Sequence, residues 1–179
     1  MKILGGSAKG RTLKSPKEGI RPALAKVKGA IFNILASCEG EKVLDLFAGT
    51  GNIGLEALSR GASQVTFVDD SIQAIRLIRE NLDRCGLTDR AHLLKTKIPW
   101  GLERLKRGQI FNLIFVDPPY DERLVNPTLR FIAREKLLAP GGRIIVEHSP
   151  REKITAPEDL QVVDERKYGQ TLITFLTYG

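Results

Sequence analysis

The chain has 179 residues, 42% of them hydrophobic and 27% charged, with a formal net charge of +7. That length suits one domain with a substantial core, and the composition is that of an ordinary globular protein, not a fibrous or disordered one. No apolar run nears the roughly 20 residues of a membrane span, and the opening MKILGGSAKG lacks the apolar core of a secretory signal, so the expected location is the cytoplasm.

Residues 1–20 read as a small basic β-hairpin separate from a main domain over 21–179. The stretch KILGGSAKGRTLKSP has turn glycines but too few apolar side chains for a core of its own. Residues 26–36 predict a helix with Val27, Ile31, Ile34 and Leu35 on one face. KVLDLFA (42–48) is a short apolar strand that runs into Gly49. NIGLEALSRG (52–61) has helical spacing at Ile53, Leu55 and Leu58, and Gly61 suits its C-terminal cap. QVTFVD (64–69) is a second strand. Asp70 or Ser71 can cap the helix bearing Ile72, Ile75, Ile78 and Leu82, which Gly86 stops. A third strand is expected at 91–96 and a short helix at 100–107. FNLIFVD (111–117) is the fourth and most apolar strand, followed by a helix over 126–137 and a fifth strand, GRIIVEHS (142–149). The tail LQVVDERKYGQTLITFLTY alternates apolar and polar residues about Tyr168-Gly169, the signature of a hairpin. Alternating strands and helices give an α/β fold, a mostly parallel sheet with right-handed crossovers, and the hairpin adds an antiparallel edge strand. No internal repeat is visible.

Cys38 and Cys85 form no CxxC pair and are expected to be reduced and structural. His92 and His148, the only histidines, form no ligand cluster, so no metal site is expected. The charge is concentrated at one end. Residues 1–28 hold eight basic side chains against Glu18 alone, whereas the other 151 residues carry twenty of each sign. Such an arm favours a nucleic-acid backbone through counterion release, the plainer alternative being a solvated surface. Arg11 and Arg21 are the leading candidates for RNA contact, followed by Lys9, with Lys14 and Lys28 weaker. Arg166, Lys167 and Tyr168 could also touch RNA or simply form a solvated turn.

Gly49-Thr50-Gly51-Asn52-Ile53-Gly54 matches GxGxxG between a strand and a helix. A bare turn needing glycine, a dinucleotide site and an S-adenosylmethionine site all fit that pattern. Asp45, four residues before Gly49, would repel an arriving pyrophosphate and suit a cation such as a methionine amino group. Asp69, ending the second strand, lies where ribose hydroxyls are expected. The pattern therefore favours S-adenosylmethionine, held by Asp45, Gly49, Gly51 and Asp69. Phe47 in the same loop is either a contact or core. Trp100 reads as packing, and Glu147 either lines the crevice or sits in solvent.

Asp117-Pro118-Pro119-Tyr120 ends the fourth strand. The two prolines remove backbone donors and stiffen the chain. A rigid turn with Tyr120 packed inside is one reading. The other is chemical. An exocyclic amine on a base has its lone pair delocalised into the ring. Two acceptors that hold the N–H protons aim that lone pair at a methyl donor. The Asp117 carboxylate and the Pro118 carbonyl would be those acceptors, with Pro119 fixing the corner and Tyr120 stacking on the base. Such enzymes extrude a paired base or act on unpaired strands.

The blocks ILGGSAKGRTL, RPALAKVKGAIFNIL, VLDLFAGTGNIGLEALSRGAS, LIFVDPPY and RKYGQTLITFL resemble the bacterial small-subunit ribosomal RNA guanine-N2 methyltransferases of the RsmD type, nearly end to end. The resemblance implies a class I, Rossmann-like methyltransferase fold with a seven-stranded sheet, S-adenosylmethionine as cofactor, and methylation of one 16S guanine in a partly assembled 30S particle. It maps cofactor contacts onto Asp45, Gly49, Gly51 and Asp69, and the target-base site onto Asp117, Pro118, Pro119 and Tyr120. Residues 23, 26, 28 and 29 (Ala, Lys, Lys, Gly) and Lys97-Ile98 depart from the usual family pattern. Methylation of adenine N6 in DNA or RNA, and a non-catalytic RNA-binding assembly factor, remain open alternatives. A monomer is expected.

Overall fold

The computed structural model describes residues 1–15, 22–105 and 108–179, with backbone alone at 22–25. Seven strands form one sheet in the order β3-β2-β1-β4-β5-β7-β6. They are β1 (Lys42–Leu46), β2 (Gln64–Asp69), β3 (Ala91–Lys95), β4 (Phe111–Val116), β5 (Leu138–His148), β6 (Leu160–Tyr168) and β7 (Thr171–Tyr178). The pairs β1–β2, β2–β3, β1–β4 and β4–β5 are parallel, and β7 is antiparallel to both β5 and β6. The strand order reverses between β1 and β4, which is where open α/β sheets bind ligands beyond their carboxyl ends.

Consecutive residues of the central strands face opposite layers, as the two-residue period of a strand requires. Val43, Val65, Phe67, Leu113 and Phe115 join α1 (Pro22–Leu35), α2 (Asn52–Ser59) and α3 (Ile72–Cys85) in one core. Leu44, Val68, Ile114 and Val116 join α4 (Val125–Arg134) and Ile98, Leu102 and Leu105 in the other. Local chemistry sets the helix ends. The Ser71 hydroxyl accepts from the Ala74 N–H at 3.2 Å, capping α3, and Gly86 closes it at φ 68°. Helix α2 ends at Arg60, and Gly61 follows at φ 98°.

The structure departs from the sequence expectations in several places. Residues 1–15 are not a free-standing hairpin. They make one antiparallel bridge, Lys2 to Thr12, and send Ile3, Ala8 and Leu13 into the first core. Their missing core is supplied by the main sheet. The expected boundary at 20/21 lies outside the described residues. The helix expected at 100–107 reduces to a 3-10 turn, Leu102–Arg104, within the described part of that stretch. Strand β5 starts at Leu138, four residues early, because it pairs with Phe111 before the register shifts. Helix α4 is shorter than 126–137 at its carboxyl end, and Glu135 is its cap. On the outer strand β6, Val162 and Val163 are exposed, and a register shift between Val162 and Asp164 breaks the regular pairing of that edge.

Candidate active site

A cavity of about 890 Å³ opens beyond the carboxyl ends of β1 and β4. Its size is within the usual range for small-molecule sites. It is lined by Phe47, Gly49, Asp69, Asp70, Lys97, Ile98, Trp100, Asp117, Pro118, Pro119, Tyr120, Glu122, Leu124 and Glu147, so the glycine loop and the Asp117–Tyr120 corner, far apart in sequence, share one cleft. Among the described residues that line it are five carboxylates and one lysine. In a chain whose net charge is +7, that is a local reversal of sign.

The glycine loop is stitched to the end of β2. Ala48 N–H donates to Val68 O at 3.1 Å, and Gly51 N–H to Ala48 O at 2.7 Å. The Asp69 carboxylate accepts from Gly49 N–H and Ser71 N–H, each at 2.9 Å. Both bonds come from the protein's backbone, and each oxygen keeps a further lone pair for ligand hydroxyls. The three glycines have different duties. Gly49, at φ 54°, lines the cavity, and a Cβ there would meet nothing closer than Phe47 O at 3.9 Å. Gly51, at φ 75°, faces Leu55 and Ile78, so its place is in the packing beneath the loop. Gly54 lets α2 lie against Phe67 and Asp45, whose Oδ2 is 2.9 Å from where a Cβ would stand. Phe47 lines the cavity with φ 60°, an uncommon conformation for an aromatic residue, of the kind found at functional sites.

Asp45 is only 3% exposed and does not line the cavity. Its Oδ2 accepts from Gly54 N–H at 2.9 Å, which ties β1 to the start of α2. Burial raises its carboxyl to about 7, against the opposing effect of the Gly54 N–H, and Asp69 pushes it further up. Asp117 leaves β4 partly buried. Burial raises its pKa well above the ordinary carboxylate value, and the charges of Glu147 and Asp45 add to the rise. Glu147 is also raised by burial, with a hydrogen bond from Tyr120 acting the other way. The Tyr120 hydroxyl lies 2.8 Å from Thr171 Oγ1. Asp69, Asp45, Asp117 and Glu147 thus form a row of mutually interacting acids along the strand ends.

Trp100 departs from the sequence expectation, and Glu147 follows one of its two readings. Trp100 does not pack. It is 67% exposed on the cavity wall, beside Lys97 and Ile98. Glu147 lines the crevice. Among the basic candidates, Lys9 and Arg11 are exposed, with Arg11 Nη1 donating to Arg84 O at 2.7 Å. Arg21 lies outside the described residues. Lys14 pairs with Glu80 at 2.6 Å. Lys28 is no surface contact at all. It is 2% exposed, with Nζ 3.0 Å from Glu56 Oε2 and donating to Lys2 O and Asn52 Oδ1, each at 2.8 Å. Glu56, fully buried, was not signalled by the apolar spacing of its helix. It also accepts from Leu4 N–H, Gly5 N–H and Arg60 Nε. Asn81, also buried, donates to Lys14 O at 3.0 Å and Thr50 O at 3.1 Å, so one side chain joins the basic arm to the glycine loop. Among the described residues no group of three or more His, Cys, Asp or Glu could hold a metal ion, and no helix is long and apolar enough to cross a membrane. Cys38 and Cys85 are buried free thiols.

Residues 1–177 match the family model described as Conserved hypothetical protein 95. The chain belongs to that family. Its relatives include the Bacillus subtilis protein YlbH, 37% identical over 96% of this chain and 95% of that protein. The Escherichia coli K12 protein named Ribosomal RNA small subunit methyltransferase D is 31% identical over 95% of this chain and 86% of its own length. Among solved structures, Escherichia coli yhhF superposes with a TM-score of 0.88 at 30% identity, covering 99% of this chain and 97% of that one. TrmN from Thermus thermophilus gives 0.75 at 25% identity, over 89% of this chain and 51% of its own. The fold of this family member is the class I, Rossmann-like methyltransferase fold, with the antiparallel hairpin at one edge.

Proposed function

We propose that the protein methylates the exocyclic N2 of a guanine in small-subunit ribosomal RNA, with S-adenosylmethionine as methyl donor. The observation that carries the reading is the acidic cleft. The five carboxylates and one lysine among its described lining residues repel a pyrophosphate and attract a cation, which disfavours a dinucleotide and favours a sulfonium ligand. The name of the Escherichia coli relative supports the RNA class. The donor supplies an electrophilic methyl group on a positive sulfur. Everything else is positioning by the chain's own groups.

In this reading Asp69 takes the ribose hydroxyls, and the backbone at Gly49 lets the ligand approach closely. Phe47, Ile98 and Trp100 offer apolar surface for a flat ring. Asp45 supports the loop through Gly54 and contributes its field to the ammonium end. The Asp117 carboxylate and the Pro118 carbonyl accept the two amine protons, so the nitrogen lone pair points at the methyl carbon. The donor would supply the methyl carbon and keep the C–S bonding electrons on its sulfur, and Asp117 would pass the surplus amine proton to water. Pro118 and Pro119 hold the corner still, and Tyr120 flanks the base. Lys9 and Arg11 in the arm (1–20), with Arg21 at the start of the methyltransferase domain (21–179), would hold the surrounding phosphates. The partner is 16S RNA in a partly assembled 30S particle, met in the cytoplasm by a monomer.

The test is to incubate the protein and labelled donor with unmodified 30S particles, naked RNA and DNA, and to identify the product nucleoside by mass spectrometry. N2-methylguanosine is the expected product. N6-methyladenine would replace this reading with the adenine alternative, and binding without transfer would replace it with an assembly role. Asp117→Ala should abolish transfer while leaving cofactor affinity nearly unchanged.

A further inference from the structure

Val116 and Val146 are register partners in the parallel β4–β5 pair, so Asp117, just past β4, and Glu147, near the end of β5, stand at the same level on adjacent strands. Both line the cleft. Glu147 is held in place, because the Tyr120 hydroxyl donates to it and is itself fixed against Thr171 on β7. One amine needs only Asp117 and a carbonyl. The second carboxylate, set beside the first and restrained by the tyrosine, has no duty in that scheme.

A guanine offers a row of donors along its Watson–Crick edge, N1–H beside N2–H₂. Adenine offers an amine beside N1, which is an acceptor. A carboxylate facing position N1 bonds to guanine and repels adenine. We infer that Glu147 accepts the guanine N1–H while Asp117 accepts from N2, so the paired carboxylates read the target as guanine. The inference rests on the proposed methyl transfer and adds a base-reading residue to it. Tyr120 then has a second role beyond flanking the base, since it aims Glu147. Its bond occupies one lone pair of the carboxylate and leaves others for the base. Rejection follows from leaving two acceptors face to face and unpaired in a desolvated site, a strong source of discrimination.

The experiment compares the guanosine first mapped in the wild-type reaction with 2-aminopurine placed at the same position by RNA ligation. 2-Aminopurine keeps the reacting amine but presents N1 as an acceptor. Wild type should favour guanosine in kcat/KM by at least about tenfold, the scale of one lost charge-assisted hydrogen bond. In Glu147→Gln the side-chain carbonyl takes the Tyr120 hydroxyl and the amide N–H₂ faces the base. The preference should fall to near unity or reverse, and the missing O6 of the analogue cancels because both enzymes meet the same pair of RNAs. A wild type indifferent to the analogue overturns the inference whether or not the variant folds. So does a Glu147→Gln enzyme with S-adenosylhomocysteine affinity retained and preference unchanged. Absence of N2-methylguanosine from the wild-type reaction overturns the proposed function itself, and the inference with it.

Discussion

Glu56→Gln is the substitution whose consequence can be worked furthest from the structure. The Glu56 carboxylate is 0% exposed and takes four donors: Leu4 N–H at 2.8 Å, Gly5 N–H at 2.9 Å, Arg60 Nε at 2.8 Å and Lys28 Nζ at 3.0 Å. An amide of the same shape has one oxygen and one N–H₂, so it turns donors against two of those donors. It also strips the anion from Lys28, itself 2% exposed, which keeps only the neutral acceptors Lys2 O and Asn52 Oδ1. Water cannot screen either group, so the full range for breaking a buried ion pair applies, about 3–5 kcal/mol. For a chain of this length that lowers the melting temperature by roughly 6–20 °C. Burial already lowers the Lys28 pKa and Glu56 holds it up, so losing Glu56 lets the ammonium release its proton more readily. The deficit should therefore shrink as pH rises, because a neutral amine tolerates burial better. Thermal and urea unfolding of both proteins between pH 6 and 9 measures this. A melting temperature within about 2 °C of wild type at pH 7 would refute the reasoning, since it would mean that the pair is hydrated or dispensable. Replacing both partners by apolar residues, Lys28→Met with Glu56→Leu, should recover part of the loss, leaving the Leu4 and Gly5 N–H groups to solvent.

Gly54→Ala places a methyl against the Phe67 ring and 2.9 Å from Asp45 Oδ2, so α2 must shift. Stability should fall by about 1–3 kcal/mol, with weaker cofactor binding by calorimetry. Gly10→Ala meets nothing within 4 Å and is strained only through φ 83°, so it should cost less stability and leave cofactor binding unchanged. For Asp45, raised to about 7, the folded chain holds a proton that the unfolded chain has released above its ordinary 3.8. Stability should therefore decline as pH rises from about 4 to about 7, and Asp45→Asn should flatten that decline in a series of melting curves. In the methyl-transfer rate, the acid limb should lie above the usual carboxylate range, because Asp117 must ionise to accept the amine protons. Glu147→Gln removes a charge that raises Asp117, and should move that limb to lower pH.

What the sequence made legible was whatever depends on neighbours along the chain. The apolar runs at 42–48 and 111–117 and the capping chemistry of Ser71 and Gly86 were enough for the centre of the sheet and for α3. The acid after the fourth strand and the glycines after the first did mark the two halves of the cleft. What escaped depends on partners distant in sequence. Lys28 looked like one more surface lysine because Glu56, which buries it, lies 28 residues away on another helix. Trp100 looked like core because large aromatics usually are, and only the cleft gives an exposed ring a place. The fifth strand was expected to start at Gly142, yet β5 begins at Leu138 and carries Ala139-Pro140-Gly141 through a register shift against β4. Asp45 was visible as a strand-end acid. That its Oδ2 is already engaged by Gly54 N–H was not.

The acids of the cleft and the bases of the arm make opposite demands, and none of Lys9, Arg11 and Lys14 lines the cleft. An RNA strand needs cations where its phosphates run, outside. A sulfonium and a row of base N–H donors need anions at the strand ends, within. Mixed on one surface the two sets would pair with each other, as Lys14 does with Glu80 at the foot of the arm. Held apart, the acids oppose one another instead. Asp45, Asp117 and Glu147 are each pushed towards the neutral form by burial, and Asp117 further by its neighbours' charges. An empty cleft at neutral pH is thus electrostatically unfavourable, and a cation or donor-rich base relieves it. Binding and folding are linked through the same charges. Cofactor should therefore stabilise the protein more at pH 8 than at pH 5, where the acids already carry protons and have less to gain.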